Sequence, residues 1–326
     1  MSNFNQMDYS PDDSGGGNLD EKESANIREQ TILINPRAPK YEGVGLGIEI
    51  TTPGYQGKNL DHHGEDDTQE TPSAIEQALS FDINQIPEGK MATVRPDMDS
   101  LGAMAVIMLR KDGKEVNSDI IKAISLLDRK GPMGFKKEGR ELLGLSGDEN
   151  KDKWDEINRI LRAANYKITV ESMPSSEIDK KILFMEKILT GQYDKKEIDD
   201  LYIKDICDLE KARKNSKIET ILSGRAVFIE SSYKRSMELG YDYADVIIAY
   251  NPAYQWSDGT ITPKYTIARR DKFVPFDLKK LLEQLKQRNP KWGGQENIIG
   301  SPQGEDPQIP PEEMEALVEK VFINNK

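Results

Sequence analysis

The chain has 326 residues, 45 Lys and Arg against 57 Asp and Glu, a formal net charge of -12, a mean hydropathy of -0.68 and one cysteine, Cys207. A length of this order suits two domains with a core each, and a single thiol excludes an internal disulfide and a thiolate metal cluster. No apolar run approaches the roughly 20 residues of a membrane span, and the acidic N-terminus lacks the basic and apolar regions of a signal peptide; a soluble, cytoplasmic chain away from membranes is expected.

The acidity is uneven. Residues 1–30 hold seven acids to two bases and residues 301–326 six to two, so the body between them carries only -3 of the total. A nearly balanced body can present a local basic groove but not the basic face of a dedicated duplex binder. A nucleotide or a short single-stranded oligonucleotide is the better partner. A homodimer is compatible with the sequence, which does not decide it.

Residues 1–30, with Ser14-Gly15-Gly16-Gly17, read as a disordered acidic leader. Strand patterns follow at Thr31-Ile32-Leu33-Ile34, Gly47-Ile48-Glu49-Ile50-Thr51 and Lys90-Met91-Ala92-Thr93-Val94. Gly43-Val44-Gly45-Leu46-Gly47 is expected to be a flexible turn, because a strand and not a helix comes after it. Helices are predicted from Pro72 to Ser80, over Leu101 to Leu109 with Ser100 as N-cap, and from Ser118 to Asp128. Residues 136–220 are charged and mostly helical, as in Trp154-Asp155-Glu156-Ile157-Asn158-Arg159-Ile160-Leu161. Strands return at Ala226 to Glu230, Asp245 to Tyr250 and Lys264 to Arg269. Alternating strands and helices predict an α/β fold: a doubly wound, mainly parallel sheet domain, a helical connector and a smaller α/β substrate-binding domain. The expected division is a leader over 1–30, a metal-binding domain with its connector over 31–220, a substrate domain over 221–304 and an acidic tail or helix over 305–326.

The only two histidines are adjacent, in Asn59-Leu60-Asp61-His62-His63-Gly64, ahead of Glu65-Asp66-Asp67. Neighbouring side chains on a strand or turn point different ways, so two roles are implied, one as a metal ligand and one as a proton donor beside it. A second charged turn, Arg95-Pro96-Asp97-Met98-Asp99-Ser100, offers two carboxylates one residue apart beside a helix start. Oxygen ligands with one imidazole suit Mn2+ or Mg2+.

Thr93-Val94-Arg95-Pro96-Asp97-Met98-Asp99-Ser100-Leu101-Gly102-Ala103 resembles the first motif of the DHH phosphoesterase superfamily, and Leu60-Asp61-His62-His63-Gly64 resembles the motif that names it. Lys264 to Arg270, the helix through Phe276 to Leu282, and Trp292-Gly293-Gly294-Gln295 onward are similar to the DHH-associated substrate domain. The resemblance implies a phosphoesterase that hydrolyses a nucleotide phosphomonoester or a short phosphodiester with one or two Mn2+ (or Mg2+) ions. Carried over by position, it makes His62, Asp97, Asp99 and Asp128 metal ligands, gives His63 and Asp61 catalytic roles, with His63 on the scissile phosphate, and assigns the substrate's phosphate or nucleotide end to Arg269, Arg270, Gly293, Gly294 and Gln295.

Four departures are visible. Thr93 stands where the family has a histidine, Gln295 where its glycine-rich loop has another, and the two metal motifs come in reversed order. The bridging aspartate has no clear counterpart, Glu49 being a weak candidate. These departures feed an alternative, a catalytically degenerate relative that binds a nucleotide or a protein partner without turnover; a third reading is an interaction protein with coincidental motifs. Read without the resemblance, Asp128 is a helix-terminal partner of Arg129 or Lys130, Arg269 and Arg270 are surface charges, and Tyr250, Tyr254 and Trp256 either stack a base or serve as core and loop aromatics.

Overall fold

The computed structural model describes residues 31–35, 38–62, 71–86, 88–170, 177–256, 259–270, 274–294 and 297–323. The leader over 1–30, His63 and Gln295 lie outside the described residues. The fold is α/β, with a parallel first sheet and a mixed second one.

The first sheet contains β1 (Thr31–Leu33), β2 (Val44–Ile48), β3 (Lys58–Leu60) and β4 (Lys90–Thr93) in the order β1-β4-β2-β3. All its pairings are parallel. Alternation along the strands sends Leu46, Ile48, Leu60 and Met91 into the large helical core and Ala92 into a small cluster with Ile34 and Ile50 on the opposite face. Val44 to Gly47, expected as a turn, belongs to β2. There Gly47 closes against Asn59 and Tyr55, where a Cβ would come within 2.6 and 2.7 Å of their side chains, so this glycine serves strand packing.

Helix α1 (Ala74–Ser80) follows β3, and α2 (Met98–Lys111) follows β4. Its N-cap is Asp97 and not the expected Ser100: the Asp97 carboxylate accepts from the Ser100 N–H, while the Ser100 hydroxyl accepts from the Asp97 N–H, a reciprocal capping box. The next helix, α3 (Ser118–Leu142), runs past its expected end at Asp128. It breaks at Gly131, whose φ of 66° and ψ of 172° only glycine adopts readily, and Pro132 restarts it with a preset φ. Asp128 therefore occupies the last turn before the break.

Helices α4 (Lys151–Asn165), α5 (Ile178–Thr190) and α6 (Lys195–Asn215) lead to β5 (Lys217–Ile221), β6 (Ala226–Glu230), β7 (Val246–Gln255) and β8 (Ile261–Arg269). After α7 (Leu278–Arg288) come the short β9 (Gly293–Gly294) and β10 (Ile298–Gly300), then α8 (Pro311–Ile323). The second sheet has the order β5-β6-β7-β8-β10-β9, with β6 and β7 parallel and the other pairs antiparallel. One face packs Phe228, Ile248 and Ile267 against α7 and α8; the other packs Val227, Ile229 and Ile247 near Leu209 and Ala212 of α6. Although α8 is rich in acids, Met314, Val318, Val321 and Phe322 are buried in that core.

Asp205 of α6 clasps the connector. Its carboxylate is fully buried and accepts from Arg162 of α4 (2.8 Å) and from Arg235 beyond β6 (2.5 Å). Removing one partner of a buried ion pair leaves uncompensated charge, at a cost of about 3–5 kcal/mol. Asp205→Ala is expected to lose stability on that scale in urea unfolding; a loss below about 1 kcal/mol would place the clasp among exposed pairs.

Candidate metal centre

The carboxyl ends of three adjacent parallel strands deliver the polar groups, as open α/β sheets do. Glu49 follows β2, His62 lies two residues after β3, and Asp99 is in the first turn of the helix that follows β4; Asp128 reaches in from α3. Ligand atoms of these four residues all lie within 4.8 Å of one another.

Glu49 gets there through its backbone. Parallel β2 and β3 are joined by residues 49–57 alone, without a crossover helix, so the chain must turn sharply at the strand end. It does so with Glu49 at φ 52°, and the Glu49 N–H donates to the Leu60 carbonyl at 2.9 Å. A left-handed non-glycine residue costs about 1–2 kcal/mol, strain of the kind that collects at functional sites. The Glu49 side chain is buried at 1 % exposure.

His62 Nε2 sits 2.8 Å from Asp128 Oδ2 and 3.4 Å from Glu49 Oε1. Burial alone would depress the imidazole pKa, but the hydrogen bonds and charges of Asp128 and Glu49 outweigh it and push it up to about 11. Burial, then the nearby Asp97 charge, holds the Glu49 carboxyl well above its ordinary range, against the opposing hydrogen bond from His62. Asp99 is raised to about 7 by burial and by Asp128. Without a cation, the imidazolium balances part of a carboxylate cluster that is costly to bury.

Asp99 is held by the start of α1. The Ser73 hydroxyl donates to Asp99 Oδ1 at 2.6 Å, and the N–H groups of Ala74 and Ile75 donate at 2.7 and 3.2 Å. On the same helix, Glu76 accepts from the Ser125 hydroxyl at 2.6 Å and pairs with Arg129 at 3.4 Å, which fixes the turn carrying Asp128. A short helix thus positions two of the four groups. Ser73→Ala is expected to weaken Mn2+ binding by about 10–100-fold, the usual scale for a residue that orients a ligand, with little change in folding. Calorimetric titration measures it; unchanged affinity would remove Ser73 from this role.

The other site residues expected from the sequence stand as follows. Asp97 lies outside the four-residue group: one oxygen caps α2 and the other is 3.2 Å from Arg95 Nε. Asp61 accepts from the Asn59 amide at 3.2 Å. Thr93 uses its hydroxyl to close the turn at Arg95. Arg269 donates to Asn297 Oδ1 and to the Phe276 carbonyl, at 3.0 and 3.1 Å, while Arg270 pairs with Asp245 at 2.5 Å. Gly293 and Gly294 form the edge strand β9. Glu49 is only weakly legible in the sequence, since its entry depends on a backbone turn that no local pattern announces; for Ser73 the available signal is a serine ahead of an apolar helix.

No known protein family matches the chain, and no curated protein does. Among solved structures, the pGpG-specific phosphodiesterase PggH from Vibrio cholerae superimposes over 90 % of this chain and 85 % of its own, with 8 % identity and a TM-score of 0.36. No helix among the described residues is long and apolar enough to cross a membrane.

Proposed function

We infer that the chain is a divalent-metal-dependent phosphoesterase of the DHH type, acting on a nucleotide phosphomonoester or a short phosphodiester. The observation that carries this reading is the convergence of Glu49, His62, Asp99 and Asp128 within 4.8 Å. Three carboxylates and one imidazole suit Mn2+, or Mg2+, better than a thiolate-seeking ion. A bound ion supplies Lewis acidity that activates water and offsets charge on the phosphoryl oxygens. Glu49, His62, Asp99 and Asp128 would hold it, and His62 would release its proton on binding. In the same reading Asp61 and His63 adjoin the scissile phosphate, and Arg269, Arg270 and the loop from Gly293 through Gln295 hold the substrate's far end, in a domain divided from the first near residue 220.

The engagement of Thr93 in its own turn favours a single ion, because that position offers no ligand toward the cluster. The test is Mn2+-dependent hydrolysis of a generic phosphodiester and a short oligonucleotide, compared with a His62→Ala, Asp99→Ala double variant. Activity only in the parent protein is expected. Equal rates in both, or none in either across several substrates, would leave the degenerate binding protein as the better account.

A further inference from the structure

The second sheet ends on β5, five residues long, whereas the other sheet edges, β9, β1 and β3, have two, three and three. An edge strand leaves alternate N–H and C=O groups without a ladder partner. Among the described residues, no strand pairs with the open side of β5 and no other backbone hydrogen bond reaches residues 217–221. The strand itself is well anchored. It keeps an unbroken register with β6, from Lys217 opposite Glu230 to Ile221 opposite Ala226, and the Ser216 hydroxyl just ahead of it donates to the Ala212 carbonyl at 2.6 Å.

Edges are usually kept from pairing by a proline, a bulge or charge. β5 (Lys-Ile-Glu-Thr-Ile) has no proline and no bulge. Its guard is charge alone: Lys217 and Glu219, exposed and 3.1 Å apart. An exposed pair of this kind contributes little, so it can be exchanged for contacts across an interface at small cost. The two charges also decide which partner the edge accepts. Two β5 strands related by a two-fold axis run antiparallel. With the axis at Ile218, Lys217 of each copy faces Glu219 of the other, and Ile218 meets its own counterpart. With the axis at Lys217 or at Glu219, like charges meet. An axis at Ile218 also brings together residues of the same parity, which keeps donors opposite acceptors along the ladder.

We propose that β5 is the docking edge for a second copy of this chain, the two strands pairing antiparallel about Ile218 so that the second sheets of both copies join into one. The occupant is a second copy because the strand's charge pattern is complementary to itself. Opposite charges facing each other across antiparallel strands stabilise the pairing and like charges oppose it, so the charge that blocks other registers selects this one. No residue of the metal cluster takes part, and the pairing is independent of the phosphoesterase reading.

The experiment is sedimentation velocity of the full chain over a range of micromolar concentrations. The parent protein is expected to form dimers. Lys217→Glu sets carboxylates opposite each other and Glu219→Lys sets ammonium groups opposite each other, in both cases twice per dimer, so each variant alone is expected to associate about tenfold or more weakly. An equimolar mixture of the two single variants pairs an acidic strand with a basic one and should recover the parent's association, as should the double variant, Lys217→Glu with Glu219→Lys. Both side chains are exposed, and matching circular dichroism melts confirm that the variants fold. Only contact between copies explains recovery in the mixture, since no single chain in it carries a Lys217–Glu219 pair. A parent protein that stays monomeric, a dimer insensitive to both single substitutions, or a mixture no more associated than its components would overturn the proposal.

Discussion

Glu49→Gln is expected to raise the melting temperature of the metal-free protein at pH 8 and to abolish the further rise that Mn2+ gives the parent. The first effect follows from the sign of its pKa shift. Burial and Asp97 raise the folded-state value well above 4.5; the stability the carboxyl contributes is therefore complete below about 4.5 and is lost as pH rises through the folded value. At pH 8 the acid is a liability that glutamine removes while keeping its shape. Relieving strain at a functional site commonly gives about 0.5–2 kcal/mol, or roughly 2–4 °C per kcal/mol for a unit of 150–250 residues. The second effect follows because glutamine cannot supply the charge the ion needs. A variant that is less stable, or that still responds fully to Mn2+, would show Glu49 to be a structural acid.

The other large effect is on turnover and its pH dependence. His62→Ala and Asp128→Asn are each expected to lower Mn2+-dependent hydrolysis by about a hundredfold or more, since the Lewis-acid contribution is several kcal/mol and each 1.4 kcal/mol is tenfold in rate. Protons compete with the ion. His62 titrates near 11 and Asp99 near 7 in the metal-free protein, both above their ordinary 6.5 and 3.8. Stability from the imidazolium is complete below about 6.5 and lost as pH rises through about 11; stability from the protonated Asp99 is complete below about 3.8 and lost as pH rises through about 7. The thermal shift produced by a fixed Mn2+ concentration should accordingly be larger at pH 8.5 than at pH 6.5. A shift that shrinks with rising pH would contradict binding at these residues.

Much of the architecture was legible because it rests on local pattern. Strand alternation at Lys90 to Val94 and the apolar stripe from Ile120 to Leu127 produce the elements they suggest. Where the sequence misled, tertiary demands had overridden local preference. Val44 to Gly47 reads as a turn, yet it is a strand in which Gly47 admits Asn59 and Tyr55 against the sheet. His62, Asp99 and Asp128 could be grouped only through a family resemblance, since 37 and then 29 positions separate them along the chain. Glu49 joined them through a left-handed turn that a parallel pair of strands with a short connection imposes.

The central claim is that Glu49, His62, Asp99 and Asp128 hold one divalent ion. Anomalous diffraction from crystals grown with Mn2+ tests it most directly. A peak among the four side chains, at about 2.0–2.6 Å from their ligand atoms, is the predicted result; crystals showing manganese only elsewhere, or none at all, would contradict it.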